Sequence, residues 1–138
     1  MRAEAFLDTN VLLYAVGDDE AKRVVAEGLL VQGGVISVQV LNEFAAVSSR
    51  KLARSWTDIA AALAAIRAMP LRIAPLTVAV HESGLRLAES DRLSLYDAMI
   101  VASAAEAGCA VLYSEDMQDG RRHGELIVRN PFGPRASS

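Results

Sequence analysis

Short apolar runs that each break off at a polar or acidic residue recur along this chain, alternating with longer segments of helical spacing. Ala5-Phe6-Leu7 stops at Asp8-Thr9-Asn10 and a second apolar run, Val11 to Val16, follows. This predicts a buried strand over residues 3–7 feeding a helix. Asp18 and Asp19 can cap a helix from about Glu20 to Val31, which Gly33-Gly34 stops. Val35-Ile36-Ser37 reads as a second strand, and Ser37 as the cap of a helix whose Val40, Leu41, Phe44 and Val47 share one buried face. Glu43 lies beside that face, partly covered. Ser55-Trp56-Thr57-Asp58 has capping-box spacing and opens an Ala-rich helix that Pro70 ends. Trp56 is expected to pack the start of that helix, with partner anchoring as the alternative, and the alanines of residues 60–68 to serve the core, with a dimer or a partner peptide as the alternatives. Leu71, Ile73 and Pro75 mark a brief edge strand. Thr77 then caps a helix through Glu89, with Leu85 and Ala88 facing inward and Gly84 as a weak point.

The segment from Ser94 to Ala105 is apolar nearly all round, so it predicts a helix deep in the fold. Gly108 ends it, and Ala110 to Tyr113 form another apolar strand that runs into Ser114-Glu115-Asp116. Strands alternating with helices imply an α/β fold with a central, mostly parallel sheet. With 138 residues the chain is expected to form one domain, 1–138, with a loose tail from about residue 131.

Charge and composition narrow the classes. Hydrophobic residues make up 52% of the chain, yet charges interrupt every apolar run before it could span a bilayer. No secretory leader is legible, so a soluble, cytoplasmic protein without a membrane partner is expected. The single cysteine, Cys109, excludes an internal disulfide and a cysteine zinc cluster, and its apolar surroundings point to an inert core thiol. His81 and His123, in a helix and a loop, have no partner at ligand spacing. A net charge of −3 is the wrong sign for a broad nucleic-acid-binding face, unless the acid excess is gathered in one site.

The acids have the positions for such a site. Asp8 and Asp116 each follow a strand, Asp97 begins a buried helix, and Glu43 lies on the helix after the second strand. Ligands of open α/β sheets collect beyond the carboxyl ends of the strands. Each acid has an ordinary alternative: Asp8 and Asp97 as helix caps, Asp116 as a turn residue. At the positive end of its helix dipole, Asp97 is expected to have a lowered pKa. Four carboxylates in one crevice repel each other unless some stay protonated or cations neutralise them, and Mg²⁺ or Mn²⁺ suits such oxygen donors.

At Leu7-Asp8-Thr9-Asn10, Leu41-Asn42-Glu43-Phe44, Tyr96-Asp97-Ala98 and Ser114-Glu115-Asp116 the chain resembles the PIN-domain ribonucleases, within them the VapC toxins of VapBC toxin-antitoxin pairs. The resemblance covers nearly the whole chain. It implies a PIN-like three-layer α/β/α sandwich with a sheet of four to five strands. It implies an acidic quartet of Asp8, Glu43, Asp97 and Asp116, with Thr9, Asn10 and Ser114 around it. It also implies a homodimer and an antitoxin partner. Many members carry an acid or aromatic residue two places after the fourth acid, where this chain has Gln118, with Asp119 one place later. How a second metal is held is thereby left open.

The function expected is a Mg²⁺- or Mn²⁺-dependent endoribonuclease, the toxin of such a pair. Asp8, Asp97 and Asp116 would hold the metal, with Glu43 on a second metal or on the attacking water. Of the 14 basic residues only Lys22 and Lys51 are lysine, and arginine suits RNA phosphates and unpaired bases. Arg50, Lys51 and Arg54, and then Arg121-Arg122-His123, flank the acids in sequence. Two rivals remain. An aspartyl-phosphate-forming phosphohydrolase would want a second Asp where Asn10 stands and a late lysine that is missing. A non-catalytic binding module of the same fold would not need all four acids.

Overall fold

The computed structural model describes residues 4–133. The strands are β1 (Ala5–Leu7), β2 (Gly34–Ser37), β3 (Leu71–Ala74), β4 (Val111–Tyr113), β5 (Arg122–His123) and β6 (Leu126–Arg129). The helices are α1 (Thr9–Ala15), α2 (Glu20–Gln32), α3 (Val38–Arg50), α4 (Trp56–Arg67), α5 (Val78–Ser90) and α6 (Leu95–Glu106). They build an α/β fold around a sheet of order β3-β2-β1-β4-β6-β5 in which only the β5–β6 pair is antiparallel. As expected from its proline-flanked sequence, β3 is an edge strand.

Burial along the central strands shows why the sheet is covered on both sides. Successive side chains of a strand point to opposite faces. Phe6 and Leu7 on β1, and Val35 and Ile36 on β2, are nonetheless all buried, which requires helices above and below. The chain supplies them by direction. From β1 it steps to β2 and β3 on one side, then returns past β1 to β4 on the other. With the right-handed crossovers that parallel strands favour, this order puts the intervening helices on opposite faces.

The helix starts follow their capping residues. Asp19, Ser37, Ser55, Thr77 and Ser94 each accept the backbone N–H three residues on, which satisfies a donor that the first turn leaves unpaired. Helix α6 is buried from Ala98 to Ala104, as its apolar circumference requires.

Several expectations are corrected. The sheet has six strands rather than four to five, because residues 122–129 form a hairpin that extends it past β4. His123 therefore lies in a strand rather than a loop. Leu85 is exposed, and the inner face of α5 is Val80 and Gly84 instead. Gly84 is a close-approach point rather than a weak one, since a Cβ there would lie 2.6 Å from the Met99 sulfur on α6. Trp56 stands exposed and does not pack its helix. Most alanines of α4 also face outward, because Ile59 and Ile66 carry its buried side. At the other end of the chain, Phe132 packs edge-on against Tyr14 with ring centroids 4.8 Å apart. Residues 134–138, expected to be loose, lie outside the described residues.

Candidate active-site cleft

The strand order reverses direction between β1 and β4, which is where an open α/β sheet leaves a crevice at its carboxyl edge. The two strands end level there. Leu7 pairs with Tyr113, and the Asp8 N–H donates to the Tyr113 carbonyl at 3.0 Å. Asp8 emerges from one strand end and Ser114-Glu115-Asp116 from the other.

A cleft of about 460 Å³ opens at this edge, and Asp8, Glu43, Asp97 and Asp116 all line it. The four sequence-predicted acids are thus brought together from β1, α3, α6 and the loop after β4. Among the described residues, Arg50 is the one basic residue that lines the cleft. Four carboxylates against one guanidinium leave an uncompensated negative charge when all are ionised.

Hydrogen bonds aim the acids. Asp8 caps α1 by accepting the Thr9 N–H at 2.7 Å, and its second oxygen accepts the Ser114 hydroxyl at 2.7 Å. Capping and membership of the site are compatible for this residue. The Ser114 oxygen in turn accepts the N–H groups of Asp116 and Met117, each at 3.2 Å. Thr9 donates its hydroxyl to Glu43 at 2.7 Å, tying α1 to α3. Asn10 works at both ends of its amide, donating to Asp116 at 3.3 Å and accepting the Glu115 N–H at 3.3 Å.

The electrostatics follow from this crowding. Burial pushes the Asp8 carboxyl up from 3.8 to about 7, against the lowering effect of its bonds to Ser114 and Thr9, and repulsion from Glu43 and Asp97 adds to the rise. Asp97 is raised as well, first by burial and then by Asp116, with the Ser94 bond opposing. This corrects the expectation of a lowered Asp97, because desolvation outweighs the stabilisation available at the helix start. Asp8 and Asp97 therefore carry protons more readily than free carboxylates when no cation is near.

The donor set is all oxygen, which matches a hard dication rather than zinc or copper. Among the described residues no group of three His, Cys, Asp or Glu side chains is arranged to hold a metal ion as it stands. Oxygens of Asp8, Glu43 and Asp116 are engaged by Ser114 and Thr9, by Thr9 and by Asn10 instead. Repulsion among the acids and the oxygen chemistry still fit a hydrated Mg²⁺, which keeps several of its own waters and needs only one or two direct carboxylates.

Other candidates fall outside the cleft. Asp119 accepts the Asn130 N–H at 2.9 Å and does not line it. Nor does the Arg121-Arg122-His123 cluster. Arg121 donates to the Asp91 carbonyl at 2.6 Å and His123 contacts the Asp91 carboxylate at 2.6 Å, so both brace the hairpin against the end of α5. Arg54 is spent on the Val16 carbonyl at 3.0 Å, leaving Arg50 as the basic residue that faces the acids. Cys109 is buried, and burial pushes its thiol up to about 11, as expected of an inert core residue. The sequence reading missed Gln39, which also lines the cleft. It missed too the carboxylate of Glu115, which turns away to Tyr14 and Lys22. Neither has a local signal in the chain.

Comparison with known proteins agrees with this architecture. The family model described as the PIN domain matches residues 5–119. Among solved structures, the Mycobacterium tuberculosis toxin VapC20, described as cleaving the sarcin-ricin loop, superposes with a TM-score of 0.66 at 21% identity, covering 81% of this chain and 89% of that one. A toxin-antitoxin complex from Klebsiella pneumoniae gives 0.69 at 20% identity over 92% and 97%. FitAcB from Neisseria gonorrhoeae gives 0.62 at 16% identity over 93% and 98%. The search of curated proteins returns no match. At these identities the structural likeness speaks for the fold, and the family model adds the sequence. The chain belongs to the PIN domain family.

Proposed function

We propose that this chain is a divalent-metal-dependent endoribonuclease and the toxin of a toxin-antitoxin pair. The observation that carries the reading is the convergence of Asp8, Glu43, Asp97 and Asp116 in one cleft at the sheet's switch point. Asp8, Asp97 and Asp116 would hold Mg²⁺, with Mn²⁺ able to replace it. When bound, the cation supplies a water of lowered pKa and neutralises charge on the scissile phosphate.

The chain's own residues do the rest. Ser114 and Thr9 fix the Asp8 carboxylate, and Asn10 fixes Asp116. Thr9 holds Glu43 at the cleft wall, where it either takes part in a second cation site or accepts a proton from the attacking water. Arg50 faces the acids and suits an RNA phosphate, countering the repulsion that the cleft would otherwise exert on a polyanion. A phosphohydrolase working through an aspartyl-phosphate gains no support, since among the described residues no lysine lines the cleft.

The toxin-antitoxin complex among the structural neighbours supports a small antitoxin as partner. Exposed Leu76, Val78, Leu95 and Tyr96 border the acidic cleft and suit a second copy of the chain, as a homodimer. No helix of the described residues is long and apolar enough to cross a membrane, in keeping with action in the cytoplasm.

The test is incubation of the purified chain with total RNA, with Mg²⁺ or Mn²⁺ and then with chelator. Cleavage should appear with cation and stop with chelator. Cleavage that persists in chelator refutes the metal, and none under any cation refutes the nuclease.

A further inference from the structure

The cleft wall holds a covered polar side chain that the fold leaves unused. Gln39 is only 8% exposed, yet among the described residues its amide has no hydrogen-bond partner. Its buried neighbours in the site, Thr9, Asn10 and Ser114, are all bonded. Helix α3 does not need the amide either, because Ser37 already accepts the Val40 N–H at the helix start. Nor is the amide sealed in. The enclosed unpaired side-chain atoms among the described residues are the Ser48 and Ser103 hydroxyls, so the Gln39 amide opens on the two cavities whose walls it forms. One is the acidic cleft, and the other is the apolar hollow of about 310 Å³ beside it, which shares Gln39 and Tyr96 with the cleft. A covered amide without a partner costs free energy that a bound hydrogen-bonding ligand returns.

Helix α3 sets this amide in line with the acids. Gln39, Glu43, Ala46 and Arg50 follow the three-four spacing of one helix face, and all line the cleft. At about 1.5 Å per residue, Glu43 lies roughly 6 Å along the axis from Gln39 and roughly 10 Å from Arg50. A strand laid along this face with its reacting phosphate at the acids therefore has Arg50 on one side of the cut and Gln39 on the other. The two ends differ in chemistry. The guanidinium suits a phosphate, which only accepts, whereas an amide offers donor and acceptor side by side, the pattern that a nucleobase edge presents in return. Asn42 lines the cleft as well but is exposed, so water serves its amide.

We propose that Gln39 reads a base: its amide takes the edge of an unpaired nucleobase beside the phosphate that is cut at the acids, and so selects where RNA is cleaved. This rests on the ribonuclease reading above and gives it a specificity residue. A second copy covering the apolar hollow would leave the cleft as the open side of the amide.

The experiment compares wild type with Gln39→Met, which keeps the side chain's length and removes its amide. Cut sites are mapped on random-sequence single-stranded RNA at saturating Mn²⁺, and kcat and KM are measured on the preferred sequence. Four short RNAs that differ in the base beside the cut are bound to the Asp97→Asn chain with and without Gln39→Met, Mn²⁺ affinity is taken by calorimetry, and oligomeric state by sedimentation. Wild type should favour particular bases at one position beside the cut by about five- to a hundredfold. Gln39→Met should lose that preference in cutting and in binding, with KM raised by a similar factor, kcat changed far less and Mn²⁺ affinity kept. If Gln39→Met does not fold, Gln39→Asn, which draws the amide back by one methylene, serves the same comparison. A wild type without base preference, or a variant that retains it, overturns the inference and leaves the nuclease standing. Loss of Mn²⁺ affinity with the amide overturns it by making Gln39 part of the cation site, and a change confined to a weakened dimer overturns it by giving the amide to the second copy. If wild type neither cuts nor binds RNA with any cation, the ribonuclease reading itself falls, and the base contact with it.

Discussion

Replacing Asp8 by Asn should change how stability depends on pH, and the sign and size follow from its surroundings. The carboxyl is lifted from 3.8 to about 7, so without cation the folded chain keeps a proton there over a range in which the unfolded chain has released it. A folded-state pKa above the unfolded one gives stability that is complete below about pH 4 and is lost as pH rises through about 7. At about 1.36 kcal/mol per pH unit the whole span amounts to about 4 kcal/mol as an upper bound. Asparagine has no such titration, but it is not a silent substitute. Both lone pairs of the Ser114 oxygen are used by the Asp116 and Met117 N–H groups, so its proton must go to residue 8. An amide has one oxygen to serve both Ser114 and the Thr9 N–H, and its NH₂ must face one of those donors. That mismatch costs about 1–3 kcal/mol at every pH.

The informative quantity is therefore the difference between the two proteins as pH changes. Urea unfolding in chelator at intervals from about pH 4 to pH 8 should show wild type losing up to about 4 kcal/mol relative to Asp8→Asn. Asp97 is present in both chains, so its contribution largely cancels. Mg²⁺ added at the alkaline end should restore wild type far more than the variant. Stability curves that stay parallel in chelator would refute the burial argument.

Other substitutions probe separate parts of the structure. Asp97→Asn should abolish cleavage, with kcat reduced by about a thousandfold or more, while circular dichroism keeps the wild-type helix signal; RNA cleavage at near wild-type rate would exclude this acid. Arg50→Ala should weaken RNA binding and shrink the salt slope by about 0.7, one single-strand phosphate contact, whereas Arg122→Ala should leave the slope alone. Gly34→Ala should cost about 2–4 kcal/mol in urea unfolding, since the residue sits at φ +147 with the Ala5 carbonyl 2.5 Å from any added Cβ. Cys109 should resist a thiol reagent until the chain unfolds, and rapid labelling of the native protein would contradict its burial.

The parts of the molecule that could be read from sequence were those with a local cause. Ser37, Ser55, Thr77 and Ser94 each announce a helix by chemistry acting over three residues, and each does cap one. Apolar runs ending at Asp8 and Ser114 announced central strands for the same reason. The hairpin of β5 and β6 was missed because β5 is only Arg122 and His123. Pairing with β6 and the Asp91 contact hold it there, not any strand propensity. Leu85 was misplaced because helical spacing cannot say which of two apolar stripes a neighbour will cover, and Met99 chose the stripe with Gly84. That four acids share a cleft could be suspected from their order. The bonds of the Glu115 carboxylate could not, since Tyr14 and Lys22 stand 101 and 93 residues earlier.

The pairing of β1 with β4 has a consequence for the order of synthesis. As the chain leaves the ribosome, the cleft's first acid, Asp8, appears almost at once, but the strand that shelters it and the serine that orients it come more than a hundred residues later. A half-made chain consequently carries Asp8 and Glu43 but lacks Asp97, Asp116 and the strand and serine that meet Asp8. On the ribonuclease reading proposed above, a chain stopped before β4 would lack Asp116 and the Ser114 that orients Asp8, and so the complete site.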